Sequence, residues 1–255
     1  MIDYNNILTL PLRCIVDKKL TKAFFQKNYV LTASEKKLLT EKIEGMQWLG
    51  MISPTNANIP AVKTPEYDFS LINIFVIALH GTSINPDGTK AIQLLQKYLP
   101  DQALIVVENE FEFIINTCDK RINQVDKSKR TIERYYTTEP IAKLYKKANE
   151  QAFFEALAFH TLDKTNLQTS YTSYSNAIVQ LKAAEVTGTF KTRSKVRSAE
   201  DLVLMTQIED KDEEIASLRS QLKRETQLNA QVKLNLAIQG LKTEIEEIKN
   251  LLSKE

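Results

Sequence analysis

Glycine is scarce in this chain. Its six glycines, Gly45, Gly50, Gly81, Gly88, Gly188 and Gly240, stand too far apart for a phosphate-cradling loop or a dinucleotide fingerprint. Both motifs need closely spaced glycines so that backbone N–H groups can approach a phosphate. That argues against an ATPase, a kinase or a dehydrogenase. A methyltransferase using S-adenosylmethionine would also be expected to carry a glycine-rich loop after its first strand. Histidine and cysteine are scarcer still: His80 and His160, Cys14 and Cys118. None has a second ligand at metal-binding spacing, so no metal and no other cofactor is expected. His80 reads as a polar residue at a strand end, and His160 as a core or boundary residue on an aromatic helix face. Two cysteines without paired spacing read as reduced intracellular thiols. The longest apolar stretch, Leu71 to Leu79, is broken by Asn73 and falls well short of the roughly 20 residues a membrane span needs. The opening MIDYNNILTLPLRC lacks the apolar run of a signal peptide, so a cytoplasmic protein is expected. Neither sign of charge is in excess: the net charge of +2 supplies no long-range attraction to nucleic acid.

What is present suffices for a buried core, at 43% hydrophobic residues in a chain of 255. Leu12–Val16 reads as a short strand and Thr21–Asn28 as a short helix with Phe24 and Phe25 facing inward. Thr32 followed by Glu35 has capping-box spacing and predicts a helix running to about Gly45. Met46–Ile52 continues apolar and is expected to pack on the core. Leu71–Leu79 is apolar on both alternations, the pattern of a strand buried on both faces. Thr89–Leu99 reads as a helix. Ala103–Val107 and Phe111–Cys118 read as a hairpin about Glu108–Glu110, and Thr131–Thr138 as a further strand. The expected architecture is α+β or α/β: a mixed sheet with packed helices. Beyond Pro140, Ile141–Leu162 is read as helical, with Leu144, Phe153, Phe154, Leu157 and Phe159 as core candidates, and Leu167–Glu185 as a second helix. The expected domains are a body over 1–140, a helical region over 141–186, a basic linker over 187–198 and an amphipathic helical tail over 199–255.

The tail has two apolar seams. Ile208, Ile215, Leu218 and Leu222 follow one heptad register; Leu234, Ile238, Leu241, Ile245, Ile248 and Leu252 follow another. Glu225 and Asn229 stand where the first would want apolar residues, so the helix either slips phase or breaks near Asn229. An apolar stripe on a helix must be covered, by the chain's own body or by another chain. Ile215, Leu218, Leu222, Leu241, Ile245 and Ile248 are the candidate partner-binding residues, for a foreign protein or for homo-oligomerisation.

The strongest polar cluster is CDKRINQVDKSKRTIERYYTTEP, which offers Lys120, Arg121, Lys127, Lys129, Arg130 and Arg134 with Tyr135 and Tyr136 close behind. Guanidinium groups beside an aromatic could bind phosphates and stack on bases. Asp119, Asp126 and Glu133 interleave, however, and a solvated hairpin with local ion pairs is the plainer reading. Lys191, Arg193, Lys195 and Arg197 form a purer basic run that could touch nucleic acid or keep a linker soluble. A metal-dependent nuclease would need two acids and a lysine converging on a metal. Glu108, Glu110 and Glu112 carry no lysine two residues on; Asp17-Lys18-Lys19 and Glu35-Lys36-Lys37 do, but outside the main strands, and Asp68 could supply an acid. No catalytic residue is assigned.

Three stretches, LTASEKKLLTEKIEGMQWLGMISPTNANIPA, CDKRINQVDKSKRTIERYYTTEPI and LKRETQLNAQVKLNLAIQGLKTEIEEI, in this order and spacing resemble bacterial proteins of the family called domain of unknown function 4391. The resemblance spans nearly the whole chain. It implies genomic neighbours, superfamily-two helicases and DNA methyltransferases in clusters that look like restriction or phage-defence systems, and brings no catalytic residue with it. The expectation is a non-enzymatic adaptor for a helicase or methyltransferase subunit; the alternatives are a nucleic-acid-binding module using the basic hairpin and a metal-dependent nuclease.

Overall fold

In the computed structural model the structure describes residues 2–127, 129–145, 147–193 and 195–254, the side chain of Lys195 excepted. Asp3 caps the first helix, α1 (Tyr4–Leu8), its carboxylate accepting from the Asn5 N–H at 3.0 Å. Leu12–Cys14 form a 3-10 turn, so only the end of the expected Leu12–Val16 strand is extended, as the start of β1 (Ile15–Lys19). α2 (Lys22–Asn28) begins at its Thr21 cap. Phe25 on it is fully buried, but Phe24 is 42% exposed. Adjacent residues on a helix point about 100° apart, so the two rings cannot both face one core.

Thr32 makes the anticipated capping box. Its hydroxyl accepts from the Glu35 N–H at 3.2 Å, and the Glu35 carboxylate accepts from the Thr32 N–H at 2.7 Å. Burial opposes ionisation of Glu35, but hydrogen bonds from Lys97, Thr32 and Tyr98 outweigh it and hold the carboxyl at about 2. The helix, α3 (Ala33–Lys37), is shorter than expected: it passes through one π turn over Leu38–Lys42 and stops at β2 (Ile43–Ile52). Met46–Ile52 is therefore strand. Its pairing with a strand on either side outweighs the local helical preference.

A one-turn helix, α4 (Pro54–Ala57), and a two-stranded ribbon, β3 (Val62–Lys63) and β4 (Asp68–Phe69), lead into β5 (Ile72–Leu79). Helix α5 (Asp87–Tyr98) crosses to β6 (Gln102–Glu108), which pairs parallel to β5 from Ile72↔Gln102 to Ala78↔Glu108. A crossover of this length is what a parallel pair requires. Its Ala91, Ile92, Leu94 and Leu95 pack in the cluster that holds Phe75, Ile77, Ile105, Val107 and Ile114. Gly88 lets it approach: a Cβ there would stand 2.9 Å from Ile84 and 3.3 Å from Ile114. β7 (Glu112–Ile122) returns antiparallel through a turn in which the Asn109 side-chain carbonyl accepts from Phe111 N–H and Glu112 N–H, both at 2.9 Å. β8 (Arg130–Thr137) and the short β9 (Ile141–Ala142) both pair with β7. The sheet runs β1-β2-β5-β6-β7-β8 with β9 beside β7, seven strands among the described residues. The fold is α+β, as expected, with β5 and β6 buried on both faces.

The helix anticipated over Ile141–Leu162 is confined to α6 (Ala148–Leu157). β7 takes Ile141 and Ala142 into the sheet, and the helix starts where Glu150 accepts from the Lys147 N–H at 2.7 Å. Phe153, Phe154 and Leu157 are buried; Leu144, a core candidate by periodicity, is 97% exposed because it precedes the helix. Phe159 is half-buried in a 3-10 turn, and His160 beside it is exposed. α7 (Leu167–Thr187) follows.

The chain divides into two units, Met1–Ile178 and Val179–Glu255. In the first, Tyr171 of α7 is wholly enclosed. Its hydroxyl accepts from Cys118 N–H at 3.0 Å and lies 2.9 Å from Cys118 O and 3.2 Å from Ala103 O. The second holds the end of α7, then α8 (Lys195–Leu222) and α9 (Leu228–Ser253). Among the described residues no helix is long and apolar enough to cross a membrane. Tyr171→Phe strips a buried N–H of its acceptor and two carbonyls of a shared donor. It is expected to lower stability by roughly 1–3 kcal/mol, read as a lower urea midpoint at unchanged slope.

Candidate functional site

The two apolar seams of the tail belong to two helices that face each other. In this helical hairpin, α8 contributes Met205, Ile208 and Ile215; α9 contributes Ile238, Ile245, Ile248 and Leu252, with Leu204, Leu218, Leu222 and Leu241 partly buried alongside. Lys211 of α8 pairs with Glu244 of α9, and the ends of the two helices also match, so they run antiparallel. Of the six candidate partner-binding residues, Ile215, Ile245 and Ile248 are buried in this seam and Leu218, Leu222 and Leu241 flank it. The helix does break, at 223–227, just before Asn229. Glu225, anomalous in a heptad, builds the turn: its carboxylate accepts from Thr226 N–H and Gln227 N–H at 2.8 Å each, and its backbone carbonyl accepts from the Gln231 side chain at 2.8 Å.

The basic run before the tail is mostly not a loose linker. Arg193 and Arg197 straddle the fully buried carboxylate of Asp201, at 3.2 Å and 3.1 Å. Their remaining N–H groups reach the last carbonyls of α9. Arg193 donates to Leu252 O at 2.7 Å and Lys254 O at 3.0 Å, and Arg197 to Leu251 O at 2.7 Å. A helix C-terminus leaves carbonyls without intrahelical donors and carries partial negative charge, and two guanidinium groups answer both needs. Burial raises the Asp201 pKa, and the two arginines oppose that rise. Both arginines are thus engaged at the base of the hairpin. Lys191 is half-buried, and the Lys195 side chain lies outside the described residues. Sequence reasoning missed this lock; its signal was an arginine pair four residues apart, the second four residues before an aspartate, at a helix start.

The basic cluster on β7 and β8 is largely neutralised from within. Lys120 is 1% exposed and donates to Leu99 O and Asp101 O, both at 2.8 Å. Burial pulls its ammonium down to about 8, with Arg130 adding to the effect and Asp101 opposing it. Arg121 pairs with Glu133 at 3.2 Å and Lys129 with Asp126 at 3.0 Å. Arg130 lies 3.9 Å from Asp68 and donates to Lys127 O and Lys129 O. Arg134 stands opposite Asp119, and Tyr136 donates to that carboxylate at 2.6 Å. Lys127 and Arg134 are exposed. Two of the acids weighed for a nuclease are likewise occupied, and Glu110 is exposed on the turn between β6 and β7. Glu108 is buried between Tyr4 at 2.7 Å and Lys143 at 2.6 Å, and Glu112 accepts from the Ile84 N–H. Among the described residues no three His, Cys, Asp or Glu side chains gather as a metal site. His160 shares a hydrogen bond with Thr9 at 3.3 Å, His80 is exposed, and Cys14 and Cys118 are buried free thiols.

Compared with known proteins, the chain matches the profile of one family, described as domain of unknown function (DUF4391), over residues 8–245. No curated protein and no solved structure matches it.

Two outcomes follow from these geometries. Asp201→Asn leaves two arginines without their buried counter-charge and is expected to cost roughly 3 kcal/mol, read as early loss of helical circular dichroism on heating. For Lys120 the folded pKa of about 8 lies below the ordinary 10.5. The unfolded chain therefore binds more protons between those values, and the stability of the native protein should rise with pH across that window, by at most about 1.4 kcal/mol per pH unit for one proton. Lys120→Met should remove that rise, measured as the difference in urea midpoints between the two proteins.

Proposed function

This chain belongs to the DUF4391 family, and on that footing we propose that it is a non-enzymatic adaptor in a bacterial restriction or phage-defence assembly, docking a helicase or DNA methyltransferase subunit. The observation that carries the reading is the second unit. It is a helical hairpin with a core of its own, fastened at its base by the Asp201 lock and turned at its tip by Glu225. With the seam filled, apolar side chains still face solvent on both helices: Val203 on α8 is 55% exposed and Leu236 on α9 is 67% exposed. A rigid helix pair that keeps apolar residues on its outside is suited to groove or helix-face recognition by another protein. Ile215, Leu218, Leu222, Leu241, Ile245 and Ile248 serve that docking by holding the hairpin in shape.

Tagged full-length protein from the native host should carry a helicase or methyltransferase subunit with it. Ile245→Asp places a charge in the seam and should lose that subunit, whereas Ile245→Val should keep it. Trp48, the single tryptophan, donates to Gly50 O at 3.0 Å inside β2 and reports whether the first unit remains folded in each variant. Recovery of neither subunit, or equal recovery by Ile245→Asp with an opened hairpin, would refute the adaptor.

A further inference from the structure

We propose that the outer face of the first half of α9 is a contact between two copies of this chain, paired antiparallel. This goes beyond the adaptor role and does not rest on it. Leu228, Val232 and Leu236 are 74%, 49% and 67% exposed. They succeed one another every four residues, and Gly240 continues the row. Such a row is the ridge that interdigitates when two helices pack with their i±4n rows together.

Gly240 is the notch in that ridge. It lies in mid-helix and is exposed, and nothing stands within 4 Å of where a Cβ would be. Glycine weakens a helix interior, and packing inside this hairpin does not ask for one here. A second helix approaching closely does. The surface around the ridge is also stripped of charge: from Thr226 to Leu241 the single ionisable residue is Lys233, in a chain that is 26% charged. Asn229, Asn235 and Gln239 flank the ridge instead. Covering this face desolvates amides, which can bond to each other, rather than ions.

The occupant follows from symmetry. Two α9 helices set antiparallel about residue 234 place Leu228 of each over Gly240 of the other, large against small, and Leu236 beside Val232. The same register carries the exposed basic turn of each copy, Lys223 and Arg224, toward the other copy's net-acidic middle, where Glu247 is exposed, Glu244 and Glu246 already pair with Lys211 and Lys249, and the α8 run Glu209–Glu214 adds further acids. Shape and sign are thus complementary about one point, which is the requirement of a two-fold interface. A foreign helix could use the ridge, but it gives no reason for notch and charge to be spaced evenly about the same residue.

Sedimentation velocity on the full-length protein tests this. The protein should sediment as a dimer that dissociates on dilution. Leu236→Glu and Val232→Glu should each weaken self-association by roughly tenfold or more while leaving the melting curve unchanged at dilutions where the native protein is itself dissociated, since both side chains are exposed in the single chain. Under mild oxidation, a mixture of Val232→Cys and Leu236→Cys chains should cross-link to each other in preference to either alone; the native thiols are buried. A protein that stays monomeric at every concentration, a dimer indifferent to both glutamates, or preferential cross-linking of like with like would each overturn the proposal. A native protein that never dimerises, with the helicase or methyltransferase subunit still recovered, would overturn this inference and leave the adaptor standing.

Discussion

The second unit depends on the seam between α8 and α9. Neither helix could persist in water with its stripe of isoleucine and leucine uncovered, and neither carries an intrinsic signal strong enough to hold it helical alone. The stripes are long enough, and fall in registers close enough, for each to cover the other. Everything else about the hairpin follows from that meeting. The turn must come where the registers change, so Glu225 stands there with its carboxylate on two backbone N–H groups. The open ends must be tied, so Arg193 and Arg197, paired on Asp201, are spent on the last carbonyls of α9. The solvent faces are left to carry whatever specificity the protein has.

The first unit depends on a different constraint, the enclosure of β5 and β6 on both faces. Their backbone groups are satisfied by neighbouring strands, and their side chains require covering elements above and below. α5 supplies one cover through Gly88, where the approach leaves no room for a Cβ. Tyr171 brings α7 to the sheet with a hydroxyl that serves backbone groups of both β6 and β7. Lys120 shows how complete the enclosure is. A side chain that would ordinarily reach for solvent ends on two carbonyls of the connection between α5 and β6, and its proton is held less firmly for it.

Much of this was legible in the sequence where the signal was periodic and long. The strand at Leu71–Leu79, the hairpin after it, the capping box at Thr32 and both tail registers were visible because each rests on local spacing. What was hidden rests on contacts distant in sequence. Ile43–Ile52 is strand because β1 and β5 accept it on either side, and nothing inside the segment announces them. Leu144 has helical spacing but precedes the helix, since β7 draws Ile141 and Ala142 into the sheet. In the candidate site the seam residues were found, but the way they are used was not: two seams of different phase could equally have served one continuous helix. The arginines of the basic run read as loose because their partners lie 50 and more residues away, at the end of α9.

The lock at the base of the hairpin also sets an order of events during synthesis. Arg193 and Arg197, with the Asp201 carboxylate they straddle, leave the ribosome before the carbonyls the arginines will hold, and α8 emerges with its apolar side bare until α9 has been translated through Leu252. A nascent chain interrupted anywhere in α9 therefore displays a greasy, unfastened helix. That is the kind of surface chaperones and proteases engage, so half-made copies would be marked for removal before they could compete with finished ones.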